Sequence, residues 1–163
     1  RVASSVVVGA DAVLDLANGR RAAAQGAKAS PLAIGQAAPD FMLPDLDGLH
    51  VDFQDWRSGE TVVLFWSPGC GFCQKMLPEV REWEAAAAKG APSLLVVSSG
   101  SVPDNRALGF NAPVLLDNGG DVRKKFRASG TPNAVLIDSR GRVASPVARG
   151  ATAFWDLVGS RRH

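Results

Sequence analysis

The chain has 163 residues, of which 46% are hydrophobic and 21% charged. That is one domain's worth of a globular protein able to bury a core without staples, and it excludes a disordered tail, a collagen-like repeat and a small disulfide scaffold. Lys plus Arg total 18 and Asp plus Glu 16, a net charge of +2, so there is no basic footprint for nucleic acid and no aromatic-studded basic stripe for single strands.

In chain order, residues 1–34 are Ala-rich and read as a helical leader or spacer. Val13, Leu14 and Leu16 form the apolar side of one helical piece, Asn18-Gly19 breaks it, and a second piece ends before Ser30-Pro31. The apolar run from Val2 stops at Asp11, short of the roughly 20 residues a spanning helix needs. The chain begins at Arg1 and shows no signal-peptide pattern, so a mature form or an excised domain, whose upstream signal peptide or membrane segment has been removed, is the expectation.

Residues 35–160 read as one compact domain. Segments 41–43 and 50–53 predict a hairpin turning at Asp47-Gly48. The run Thr61-Val62-Val63-Leu64-Phe65-Trp66 predicts a central strand buried on both faces. Residues 74–89 are strong helix formers stopped by Gly90. Strands follow over 93–97 and 114–116, then a helix over 121–126. Two strands over 134–137 and 143–147 are joined by a turn at Asp138-Ser139-Arg140-Gly141, and a helix over 151–158 closes the chain. Strands alternating with helices predict an α/β fold around one mixed sheet.

The two cysteines, Cys70 and Cys73, lie in Cys70-Gly71-Phe72-Cys73. A disulfide between them closes too small a loop to constrain the unfolded chain much. One C-x-x-C supplies too few ligands for a zinc site, and the histidines are His50 and His163. Redox chemistry is the leading reading. The motif follows a predicted buried strand and opens a predicted helix, where the positive end of the helix dipole and unpaired N–H groups stabilise a thiolate. Cys70 is therefore expected to be the exposed nucleophile and Cys73, one turn further, the buried resolving thiol. Gly71 gives the backbone room at the turn. Phe72 adds an apolar contact if it is exposed and packs under the loop if it is not. Lys75 reads as a solvated helix side chain near the thiols, and Glu79, Glu82 and Glu84 as a solvated face. Trp56, Trp66, Trp83 and Trp155 read as core or shoulder packing.

The string Val63-Leu64-Phe65-Trp66-Ser67-Pro68-Gly69-Cys70-Gly71-Phe72-Cys73 resembles the active-site segment of the thioredoxin superfamily. Gly130-Thr131-Pro132, just before the strand over 134–137, matches the place where that superfamily carries a cis proline against its C-x-x-C. Pro78 falls where the family has a helix-kinking proline. Gly35-Gln36-Ala37-Ala38-Pro39-Asp40-Phe41, the Asp47-Gly48 hairpin and the Leu136-to-Val143 hairpin are similar to the redoxin branch. That branch holds the AhpC/TSA redoxins and peroxiredoxins together with the TlpA-like and MauD-like thiol–disulfide proteins. The similarity runs from about Gly35 to Val158. Two positions depart from it. Leu64 stands where classical thioredoxins carry a buried aspartate six residues before the first cysteine. Ser67 and Val63 occupy the Thr and Pro positions of the peroxiredoxin pattern counted back from Cys70, so its proline is not met, which disfavours peroxidase action.

The resemblance implies a thioredoxin-like fold, an N-terminal hairpin added to it, and a thiol–disulfide oxidoreductase with no cofactor beyond a Cys70–Cys73 redox disulfide. It implies protein thiol or disulfide substrates held in a groove by Thr131, Pro132, Gly71 and Phe72. It further implies an extracytoplasmic reductant working with a membrane-bound redox partner. Two alternatives from other classes are a copper or other soft-metal delivery module using the two thiolates, and an electron-relay or interaction domain of a membrane redox protein.

Overall fold

A computed structural model describes residues 30–87 and 89–159. The expected leader falls almost entirely outside the described residues. The elements are β1 (Met42–Pro44), β2 (His50–Asp52), α1 (Phe53–Trp56), β3 (Thr61–Trp66), α2 (Gly71–Ala85), β4 (Ser93–Ser98), α3 (Val102–Arg106), β5 (Val114–Leu116), α4 (Asp121–Lys125), β6 (Asn133–Ile137), β7 (Ala148–Arg149) and α5 (Gly150–Gly159).

A five-stranded sheet is ordered β5-β4-β3-β6-β7. Strands β3, β4 and β5 run parallel, while β6 and β7 join antiparallel. All six residues of β3 are buried, as a strand covered on both faces requires. Its side chains alternate between two cores. Val62, Leu64 and Trp66 pack with Cys73, Met76, Val80 and Trp83 of α2 and with Phe154 and Val158 of α5. Val63 and Phe65 face the other way, onto Phe41, Phe53, Val122 and Phe126. Phe41 stacks on Phe53 with ring centroids 4.7 Å apart, and Phe126 sits edge-on to Phe41 at 5.8 Å. Trp66 and Trp83 are buried, and Trp56 and Trp155 are half-buried.

Several sequence expectations need correction. The hairpin turn is wider than an Asp-Gly pair. The Asp45 carboxylate accepts from the Asp47 and Leu49 N–H groups, and Asp45 N–H donates to the Leu49 carbonyl. Phe53 leaves the second strand because the Asp52 side chain caps α1 by accepting from Gln54 N–H at 3.0 Å. Helix α2 starts three residues earlier than expected and ends at Ala85, before Gly90. The strand expected over 143–147 breaks after a single bridge between Ile137 and Val143. Pro146 has no N–H to offer a ladder, and the Ser145 hydroxyl instead accepts the Leu136 N–H. Pairing resumes at β7. Helix α3 was not expected; its signature is Ser101, whose side chain caps Asp104 N–H ahead of Pro103 at the first turn.

Candidate functional site

The site forms where β3 ends and α2 begins. A turn over 67–70, closed by Cys70 N–H donating to the Ser67 carbonyl at 3.1 Å, delivers Cys70 to the N-cap of α2. The Gln74 amide reaches back to the Pro68 carbonyl at 2.9 Å and ties the first helical turn to that loop. Cys70 is half-buried and Cys73 fully buried, both as free thiols.

The loop before β6 closes over them. The Thr131–Pro132 peptide is cis, and the Cys70 thiol donates to the Thr131 carbonyl at 3.4 Å. The proline is buried, whereas Phe72 is 72% exposed. Gly71 opens α2 beside it, with open space around its Cα. A cavity of about 490 Å³ runs along this side, lined by Phe72, Met76, Thr131, Pro132, Ala151 and Trp155, with Lys75 and Glu79 also on its wall. The sequence singles out neither Met76 nor Ala151, and gives Trp155 a packing role only. The available signal was Gly150, whose N–H donates to the Pro132 carbonyl at 2.8 Å and whose φ is 86°, starting α5 against the proline loop. Glu84 is not simply solvated: its carboxylate accepts from Asn111 and Ala112 N–H groups.

The electrostatics separate the two thiols. Partial burial pushes the Cys70 thiol up, but a hydrogen bond from the Thr131 side chain and bonds from Cys73 and the Phe72 and Cys73 backbone outweigh it and hold the thiol below its ordinary value. The Thr131 carbonyl contact favours the protonated form and is overcome by these donors. Burial pushes the Cys73 thiol up to about 12, and the charge and hydrogen bond of Cys70 add to the rise, against a lowering bond from the Ser67 backbone. Leu64 is fully buried in the core cluster that contains Cys73, so its side chain supplies no carboxylate there. Iodoacetamide alkylation of the reduced protein is therefore expected to modify Cys70 alone through neutral pH. Its rate should rise with pH to a plateau whose midpoint lies below that of a free cysteine peptide; a midpoint at or above the peptide's overturns this assignment.

Among the described residues no group of three or more His, Cys, Asp and Glu side chains gathers to hold a metal ion. His50 lies exposed on β2. No helix among the described residues is long and apolar enough to cross a membrane.

The family model for AhpC/TSA matches residues 34–145. The chain belongs to the AhpC/TSA family. The thiol–disulfide oxidoreductase ResA of Geobacillus thermodenitrificans is 28% identical over 117 residues, covering 69% of this chain and 67% of that protein. ResA of Bacillus thuringiensis subsp. konkukian is 25% identical over 126 residues, with 74% and 72% covered. The thioredoxin domain of a thiol–disulfide oxidoreductase from Bacteroides vulgatus superposes with a TM-score of 0.67 at 21% identity, covering 81% of this chain and 99% of that one. A secreted Mycobacterium tuberculosis disulfide oxidoreductase homologous to Escherichia coli DsbE gives 0.60 at 21% identity, with 73% and 92% covered. The fold is thioredoxin-like, and this family member is a thiol–disulfide oxidoreductase of the redoxin branch.

Proposed function

We propose that the protein is an extracytoplasmic protein-disulfide reductase in which Cys70 attacks and Cys73 resolves. The observation that carries the reading is the contrast between the two thiols: one half-exposed at a helix N-cap and acidified, the other one turn away, buried and held protonated. The Cys70 thiolate attacks one sulfur of a substrate disulfide, forming a mixed disulfide and expelling the other sulfur as a thiolate, which takes a proton from water. Cys73 then loses its proton and attacks the Cys70 sulfur. The Cys70–Cys73 bond forms, the second substrate thiol leaves, and two electrons have passed to the substrate. Once Cys70 is tied up in the mixed disulfide it carries no charge, so its share of the upward pressure on Cys73 disappears when the resolving thiolate is needed.

Phe72, Gly71, Thr131 and Pro132 border the groove in which an extended substrate segment pairs along the backbone of the proline loop, with the apolar cavity beside it taking substrate side chains. A membrane-bound thiol partner re-reduces the disulfide. The secreted M. tuberculosis relative supports a location outside the cytoplasm. The test is the Cys70–Cys73 reduction potential, read by tryptophan fluorescence or alkylation in dithiothreitol and glutathione buffers. A reductant should poise near or below about −250 mV. A value near about −120 mV makes the protein a disulfide-forming catalyst, and failure to form the disulfide removes both directions.

A further inference from the structure

The loop carrying Gly130 and Thr131 borders two cavities. The apolar one lies on the α2 and α5 side; the second, of about 380 Å³, opens on the α4 side between the ends of β3 and β4 and the segment after β5. Its walls include Ser99, Asp117, Asn118, Arg123, Ser129 and Thr131. The Thr131 carbonyl also accepts the Cys70 thiol, so one residue of this polar cavity's wall touches the reacting cysteine.

The cavity's charged wall residues are Asp117 and Arg123. The Asp117 carboxylate is engaged by the Val122 and Arg123 N–H groups at 3.3 and 3.0 Å, capping α4. The Arg123 guanidinium uses one nitrogen on the Ala128 carbonyl at 3.2 Å, which leaves further donors of its five. Gly120 makes room for it: a Cβ there would stand 3.3 Å from the guanidinium, and the backbone φ of 73° suits glycine. Arg149, outside the lining, bonds the hydroxyl of the wall residue Ser129. Lys124 and Lys125 follow on α4 with Arg127 just beyond, against Asp121 in the first turn.

We propose that this cavity is a second substrate subsite, in which Arg123 holds the carboxylate of an acidic residue two positions from the reacting cysteine of a protein substrate. In an extended chain, residues two apart point the same way, so a segment laid over Thr131 with its cysteine toward Cys70 sends that residue's side chain into the cavity. A guanidinium–carboxylate pair is charge-assisted and geometrically selective. The inference rests on the reductase reading and narrows its substrates to disulfides flanked by acid.

The test is single-turnover reduction of disulfide-linked peptides by the fully reduced protein, with Glu, Gln or Lys two residues before or after the cysteine. Without a subsite, a Glu beside the disulfide slows attack by repelling the Cys70 thiolate. With it, Glu in one of the two placements is expected to react about tenfold faster than Gln at low salt. That ratio should shrink at high salt, a readout that needs no variant. Arg123→Gln should bring the ratio to about one, and Arg123→Glu should turn the preference toward Lys, which loss of α4 packing would not do. A wild-type ratio of one or below, or a Glu preference that survives Arg123→Gln, overturns the subsite and leaves the reductase reading standing. No reaction with any peptide overturns both.

Discussion

Cys70→Ser is expected to lower reduction of a protein disulfide such as insulin by about a thousandfold or more, to the uncatalysed rate, because the attacking sulfur is gone and the remaining thiol, Cys73, is buried and held protonated. Cys73→Ser should behave differently. Its Cys70 remains acidified by Thr131 and the Phe72 and Cys73 backbone, so the first attack proceeds and the mixed disulfide accumulates because no second thiol resolves it. Non-reducing electrophoresis and mass spectrometry separate the two outcomes. Substrate trapped on Cys73 in the Cys70→Ser protein would reverse the assignment, and turnover in Cys70→Ser within tenfold of wild type would remove it.

The second large effect is on stability. Phe126 is fully buried at the end of α4, with its ring centroid 5.8 Å from that of Phe41 and 5.6 Å from that of Phe65. Helix α4 spans five residues, far too short to persist on its own, so burial of Phe126 and Val122 is what attaches it to the sheet. Phe126→Ala should cost about 3–5 kcal/mol in urea unfolding, from lost apolar burial and the cavity left between three elements. The midpoint should fall with the slope of the transition unchanged. A loss below about 1 kcal/mol would mean that the ring does not fix α4 in this position.

Much of this molecule is legible along the chain because its signals are local. The six-residue apolar run of β3, the C-x-x-C after it and the helix formers behind it are consecutive, and consecutive residues share one backbone environment. They were enough to predict the central strand, the cysteine at a helix start and the burial of Cys73. The short elements were less legible. Helix α1 depends on a cap by Asp52, and the break after Val143 depends on the Ser145 hydroxyl replacing a strand acceptor; single side-chain bonds of this kind carry no periodicity. Glu84 looked like one more charge on a wet helix face, and only the arrival of the loop at Asn111 and Ala112 gave its carboxylate partners.

The site divides along the same line. Sequence alone determined that two thiols stand three residues apart at a helix start, the place where the helix dipole and unpaired N–H groups favour a thiolate. Only the tertiary structure decided what surrounds them. Thr131 meets Cys70 across 61 positions of chain, Trp155 and Phe72 come to line one cavity, and Arg123 enters another through α4 packing on the far face of the sheet. Hydrogen-bonded local geometry is dictated by neighbours in the chain, whereas a cavity is the space left when distant elements pack, and no stretch of sequence encodes that space by itself.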